Sequence, residues 1–179
     1  MDHNADCRQH QPADEVDSDC LHWLKTTLMV LFLVLVTATL ALRGVGFAGV
    51  HALDAWTPCL RGGLALMFLL TASAHWGKRR PDLVAMVPTA FPNPGLMVTI
   101  TGVLELLGAV GLLFPATAPA AAACLAVLLI AIFPANVRAA RQHLNIGNSP
   151  ATALPLRIVR QIVFISALVI AGFPGALRR

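Results

Sequence analysis

The sequence predicts an all-α integral membrane protein, and two features of its composition carry this prediction. Of its 179 residues, 57% are hydrophobic and only 12% are charged. A soluble globular domain has about 25% charged residues, so this chain lacks the charged surface that such a domain needs in water. The apolar residues also gather into runs long enough for helices that cross a bilayer, separated by short segments with proline, glycine and basic residues.

The charges are unevenly distributed along the chain. Six of the nine acidic residues lie within the first 19 positions, and only Asp54, Asp82 and Glu105 follow. The basic residues flank the apolar runs, as they do in membrane proteins. The positive balance therefore indicates the lipid bilayer as a partner and gives no support to nucleic acid. Residues 1–23 are predicted to form an acidic, disordered cytoplasmic tail.

Five transmembrane helices are predicted. The first occupies residues 24–45, and a glycine-rich external loop leads to the second at residues 58–76. Four prolines in residues 77–94 exclude a long helix, so this segment is expected to form a short interfacial element. The other three helices are predicted at residues 95–114, 120–137 and 156–173.

A tight hairpin is predicted between the third and fourth helices. The 32 residues from Leu106 to Val137 carry no formal charge, and a single helix of that length would measure about 48 Å, too long for a bilayer. The sequence "PATAP", residues 115–119, is typical of a break between two helices.

The distribution of lysine and arginine predicts the orientation. The tail and the segments after the second and fourth helices hold nine of these residues, and the opposite side holds four. The positive-inside rule places the side with more basic residues in the cytoplasm. The N-terminus is therefore predicted to be cytoplasmic and the C-terminus to lie outside, which agrees with an odd number of helices.

Residues 58–140 resemble the DoxX-like family of small membrane proteins. Three stretches carry the resemblance in order and spacing: "LLTASAHW" followed by "RPDLVAMVPTAFPNP", then "TGVLELLGAVGLLFP", then "AIFPANV". The resemblance implies a four-helix membrane domain at residues 58–174, with residues 24–45 as an extra N-terminal transmembrane helix. It also implies a multi-pass location in the bacterial inner (plasma) membrane.

The resemblance further implies a component of a quinone-linked redox or oxidative-stress system, because some relatives are linked to thiosulfate oxidation coupled to quinone. A loosely bound quinone and a soluble or membrane redox partner would then be needed. The sequence shows no residue pattern for a tightly held metal, flavin or haem, and it assigns no catalytic residue. Positions with small residues on the helices indicate close packing, within the chain or in a homo-oligomer.

Glu105 is the first candidate site residue, because it lies near the middle of a predicted membrane span. A charged side chain at that depth costs about 2.5–3.5 kcal/mol on insertion scales. Thr101, Gly102 and Gly108 share its helix face, so this polar and small-residue face is expected to point into the bundle. Two interpretations stay open: a proton-handling or ligand-binding group, and an interhelical hydrogen bond that fixes the bundle.

Four further polar residues are predicted to line a pocket with Glu105 at its floor. His75 lies near the end of the second helix, Asn136 at the matching end of the fourth, and Arg157 and Gln161 at the start of the fifth. Helix caps, interfacial hydrogen bonds and snorkelling are equally acceptable roles for them. The functional alternative to a redox component is therefore a non-catalytic scaffold, or a small-solute or proton pathway, with structural buried polar residues.

Overall fold

The computed structural model describes residues 13–88, 91–141 and 154–175, with side chains from Val30 onward. The described residues are helical, without a β-strand, which confirms the predicted all-α class. A short 3-10 helix, His51–Leu53, follows the first α-helix. The seven α-helices are α1 (Ala13–Phe47), α2 (Trp56–Ser73), α3 (Arg80–Met86), α4 (Pro94–Leu113), α5 (Ala118–Ala131), α6 (Phe133–Arg141) and α7 (Leu154–Gly172).

Helix α1 is longer at both ends than the sequence predicts. It begins at Ala13, so its first turns include part of the segment predicted to be a disordered tail; residues 1–12 lie outside the described residues.

The last turns of α1 include Arg43, close to the end predicted for this helix at residue 45, and continue to Phe47. The Arg43 guanidinium lies over the rings of Phe47 and Trp56, 3.9 and 5.7 Å from their centroids. Its Nη1 atom donates a hydrogen bond to the Leu53 carbonyl oxygen at 3.4 Å, and the Cys59 thiol donates to the same oxygen at 3.3 Å. These contacts hold the end of α1 to the segment that begins α2, so the helix continues past the charge.

Helices α2, α4, α5 and α7 form a closed ring in which each packs against the next, and α1 lies on the outside against α2. Large apolar side chains fill the centre of this ring, and the outer faces are apolar and exposed, as they are in a protein surrounded by lipid. The fully buried side chains include Leu64, Phe68, Leu112, Leu125 and Leu168.

Among the described residues, four helical segments are long and apolar enough to cross a membrane: residues 30–47, 94–113, 118–141 and 154–172. The sequence predicts five, and α2 is the one that does not meet these criteria. It contacts α1, α4 and α7, so much of its surface faces protein. A central helix of this kind tolerates a less apolar composition, including Arg61.

The predicted hairpin between α4 and α5 is confirmed. Helix α4 ends at Leu113 and α5 begins at Ala118, and the Thr117 hydroxyl donates a hydrogen bond to the Gly111 carbonyl oxygen at 2.8 Å. The predicted fourth helix is divided into α5 and α6, because Pro134 has no N–H to continue the hydrogen-bond ladder.

Arg61 connects α2 to the end of α7. Its Nε atom donates a hydrogen bond to the Ala171 carbonyl oxygen at 2.9 Å, one of the last carbonyls of α7 that have no partner within the helix.

We expect Arg61→Met to lower the free energy of unfolding by about 1.5–3 kcal/mol, the range for a hydrogen bond from a charged donor. Thermal unfolding in mild detergent measures the change. Lys78→Met, which removes an exposed cation, is the matched control, and equal midpoints for both variants would contradict the prediction.

Candidate functional site

Glu105 is buried inside the bundle, on the face of α4 that contacts α2. The residue is only 5% exposed. Gly102, Gly108 and Leu112, at helical spacing on the same face, are also buried. Gly102 lies against His75 and Gly108 against Leu125 of α5, so the small residues allow close packing on both sides of the carboxylate, in agreement with the predicted inward face.

Thr71 on α2 is the direct partner of this carboxylate. Its hydroxyl donates a hydrogen bond to Oε2 of Glu105 at 2.8 Å. The same Oγ1 atom lies 3.0 Å from the Phe68 carbonyl oxygen. Thr71 lies one turn before His75 in the sequence. Its hydrogen bond to Glu105 depends on the register between α2 and α4, which the sequence alone does not determine.

The arrangement accepts Glu105 in either protonation state. When the carboxylate is ionised, the Thr71 hydroxyl donates to it. When the carboxyl group is protonated, it can donate to Thr71 Oγ1, because the Thr71 hydroxyl hydrogen can turn to the Phe68 carbonyl oxygen. The hydrogen bond between α2 and α4 therefore survives the gain or loss of a proton.

His75 lies just after the end of α2, beside Glu105. Its Nδ1 atom is 3.2 Å from the Thr71 carbonyl oxygen and 3.9 Å from Oε2 of Glu105. At 3.9 Å, its contact with Glu105 is longer than a hydrogen bond.

A neutral imidazole has one donor and one acceptor nitrogen. Since Nδ1 faces a carbonyl oxygen, it carries the proton, and Nε2 is left as an acceptor. Glu105 and His75 thus present a carboxyl group and a basic nitrogen on neighbouring helices. Groups of these two kinds exchange protons with a bound molecule.

Arg80 holds this end of the site together, and the sequence analysis did not identify it. Its Nη1 atom donates to the His75 carbonyl oxygen at 2.8 Å, and its Nη2 atom to the Gly95 carbonyl oxygen at 3.2 Å and the Thr99 hydroxyl at 2.9 Å. The guanidinium therefore joins the end of α2 to the first turns of α4. An arginine before a proline in an interfacial segment is a weak signal that could have suggested a structural role.

Gly102 provides the space for His75 against α4. A Cβ atom at this position would lie 2.7 Å from His75 Cβ and 2.9 Å from the Trp76 ring. Such distances are too short for carbon atoms in contact, so only glycine fits here without a shift of the backbone that carries His75.

The other three predicted residues form a second polar group where α7 meets the break between α5 and α6. Nη1 of Arg157, which is 4% exposed, donates to Oδ1 of Asn136 at 2.8 Å. The Gln161 amide nitrogen donates to the Leu129 carbonyl oxygen at 3.1 Å. This carbonyl group lies in the last turn of α5, just before the break near Pro134.

The hydrogen bonds of the structure thus join the five predicted residues in two groups. Glu105 and His75 lie together between α2 and α4, while Asn136, Arg157 and Gln161 lie together between α6, α5 and α7. Each group connects helices that are distant in sequence. In the described ranges, no cluster of three or more histidine, cysteine or acidic residues could hold a metal ion.

The comparisons with known proteins concern the bundle and not α1. No curated protein and no solved structure matches this chain. A family model matches from Leu64 in α2 to Ala171 in α7, and so includes both polar groups. Because residues 64–171 make up more than half of the 179 residues, the chain belongs to the family described as Domain of unknown function (DUF8561).

Proposed function

We propose that this chain is a multi-pass protein of the bacterial inner membrane, with a DoxX-like architecture, that binds a quinone at the site formed by Glu105 and His75. The ring of α2, α4, α5 and α7 with α1 outside it supports the four-helix architecture with one added helix. In this proposal the N-terminus is cytoplasmic, because most of the basic residues lie at the corresponding end of the bundle.

The observation that carries the proposal is the hydrogen bond between Thr71 and Glu105, whose geometry allows a bond in both protonation states of the carboxyl group. Burying an ionisable group in a membrane span is costly, and such groups are functional by default. A group that fixed the bundle without taking part in proton transfer would not need two stable states. Glutamine or asparagine would supply the same interhelical bond without a proton to exchange.

The chemistry of the two groups suits a quinone. Reduction of a quinone to a quinol takes two electrons and two protons. A protonated Glu105 donates a hydrogen bond to a carbonyl oxygen of the ring, and Nε2 of His75 accepts one from a hydroxyl of the quinol. The electrons come from a redox partner protein and the two protons from solvent by way of Glu105, one after the other, so this chain supplies binding and a route for protons within a quinone-linked redox system.

The alternative is a non-catalytic membrane scaffold or a proton or small-solute pathway, and one observation favours it. Both polar groups connect helices through hydrogen bonds within the protein, including the bond from Arg157 to Asn136. Polar bonds between membrane helices are worth about 0.6–2 kcal/mol. On this interpretation, Glu105 and His75 stabilise the bundle and bind no redox molecule.

Quinone bound to the purified protein distinguishes the two functions. We expect near-stoichiometric quinone in solvent extracts of the wild-type protein from mild detergent, measured by redox difference absorbance. Glu105→Gln and His75→Ala should each reduce the bound amount at least several-fold, because each removes one polar contact to the ring. Ser73→Ala is the matched control, since Ser73 is an exposed polar residue of α2 that bonds only within its own turn.

A wild-type protein that contains no quinone, with variants that are merely less stable, would contradict the quinone proposal and leave the scaffold as the better interpretation. An equal loss of quinone in Ser73→Ala would also contradict it, because that change lies outside the site.

A further inference from the structure

Four arginines lie on two helices that contact each other at one end of the bundle. Arg138 and Arg141 are in the last turn of α6, and Arg157 and Arg160 are in the first two turns of α7. We refer to these four residues as the α6–α7 arginine cluster. The quinone proposal uses none of their charges.

The cluster carries more positive charge than the elements around it can balance. The chain has no acidic residue after Glu105, so α5, α6 and α7 contain none. Helix α3, which packs against α6, contributes Asp82. Since α3 also contains Arg80, helices α3, α5, α6 and α7 together hold five cations and one carboxylate, an excess of four positive charges (5 − 1 = 4).

Two of the arginines are held in place by neutral oxygen atoms. Arg157 donates to Oδ1 of Asn136, and Arg138 donates to the Val87 carbonyl oxygen beyond the end of α3. These bonds orient the two guanidinium groups. Arg141 is exposed and Arg160 is half-buried, so the cluster reaches the surface of the bundle.

The position of the cluster along the helices matches the level of lipid headgroups. The apolar segment of residues 118–141 ends with Arg141, and the segment of residues 154–172 begins one turn before Arg157. The ends of membrane spans lie at the headgroup region, where basic pockets between helices bind anionic headgroups. The planar guanidinium forms paired hydrogen bonds with phosphate oxygens. A headgroup without net charge attracts the guanidinium less strongly than an anionic headgroup does.

We propose that the α6–α7 arginine cluster binds the phosphate of an anionic phospholipid at the bilayer surface. The lipid contributes negative charge, which α5, α6 and α7 lack, and bridges α6 to α7. This inference is independent of the quinone site, because it concerns the other polar group and a different ligand.

Lipid titration of the full chain in a neutral detergent tests the inference, with bound lipid measured by native mass spectrometry. We expect phosphatidylglycerol to bind more tightly than phosphatidylcholine and to raise the thermal unfolding midpoint. The double variant Arg141→Gln with Arg160→Gln should bind phosphatidylglycerol about tenfold more weakly, because each basic residue near the surface contributes to the attraction. If this double variant is already less stable without lipid, Arg141→Gln alone carries the test, since Arg141 is exposed.

The matched control is Lys78→Gln with Arg79→Gln, which removes the same charge from exposed residues at the same end of the bundle. Binding should stay within about twofold of the wild type in this control. Equal binding of the two lipids, or equal weakening in both double variants, would overturn the proposal in favour of diffuse attraction. Unchanged binding in the cluster variant would also overturn it, and would point to the chain's own acidic N-terminal segment as the balancing charge.

Discussion

Replacing Arg80 with alanine should lower the free energy of unfolding by about 2–3 kcal/mol, within the range for losing hydrogen bonds from a charged donor. The side chain makes three such bonds, to the His75 and Gly95 carbonyl oxygens and to the Thr99 hydroxyl. Without these bonds, the carbonyl oxygens of His75 and Gly95 each lose a hydrogen-bond donor at a half-buried position. Thermal unfolding in mild detergent measures the loss.

The neighbouring Arg79 offers a close control for this prediction. It is exposed at the start of the same short helix, so Arg79→Ala should change the free energy of unfolding by no more than about 0.5 kcal/mol. Arg80→Lys should give an intermediate result, because an ammonium group lacks the planar fork that reaches several fixed acceptors together. If Arg80→Ala and Arg79→Ala were equally stable, the three bonds would contribute nothing beyond the charge.

The same contacts show how far the sequence could predict the fold. Apolar runs and prolines determine where helices begin and end, since these depend on local composition, and the hairpin at residues 115–119 followed from them. The ends of α1 were harder to predict. Whether a helix continues through Arg43 depends on the Phe47 and Trp56 rings, and their contact with its guanidinium arises only once the chain is folded.

The individual residues of the candidate site could be predicted from the sequence, but which of them lie together could not. Glu105 and His75 are noticeable in the sequence because ionisable residues are rare in apolar segments, and both are buried in the structure. The separation of Arg157 from Glu105 depends on which helices are neighbours. That arrangement, like the partnership of Thr71 with Glu105, is set by helix register and packing, which a single sequence does not encode in any local pattern.

Gly102→Val should disrupt the α2–α4 contact, and it tests whether the site depends on close helix approach. The first added carbon would lie 2.7 Å from His75 Cβ and 2.9 Å from the Trp76 ring. His75 Cβ is attached directly to the backbone, so the clash cannot be relieved by rotation of a long side chain. We expect a loss of about 1–3 kcal/mol, the usual cost of overpacking, measured as a lower unfolding midpoint in mild detergent.

Gly44→Val is the matched control, because Gly44 is also a helical glycine and has no atom within 4 Å of its Cβ position. A valine there meets no neighbour, and it should leave the unfolding midpoint nearly unchanged, since a β-branched residue and glycine differ little in helix propensity. In Gly102→Val, the displaced His75 should also separate from Glu105, so any quinone bound to the wild type should be lost even where the variant stays folded. A Gly102→Val protein as stable as Gly44→Val, with its ligand retained, would show that α2 and α4 do not need this close approach and that His75 is held by Arg80 alone.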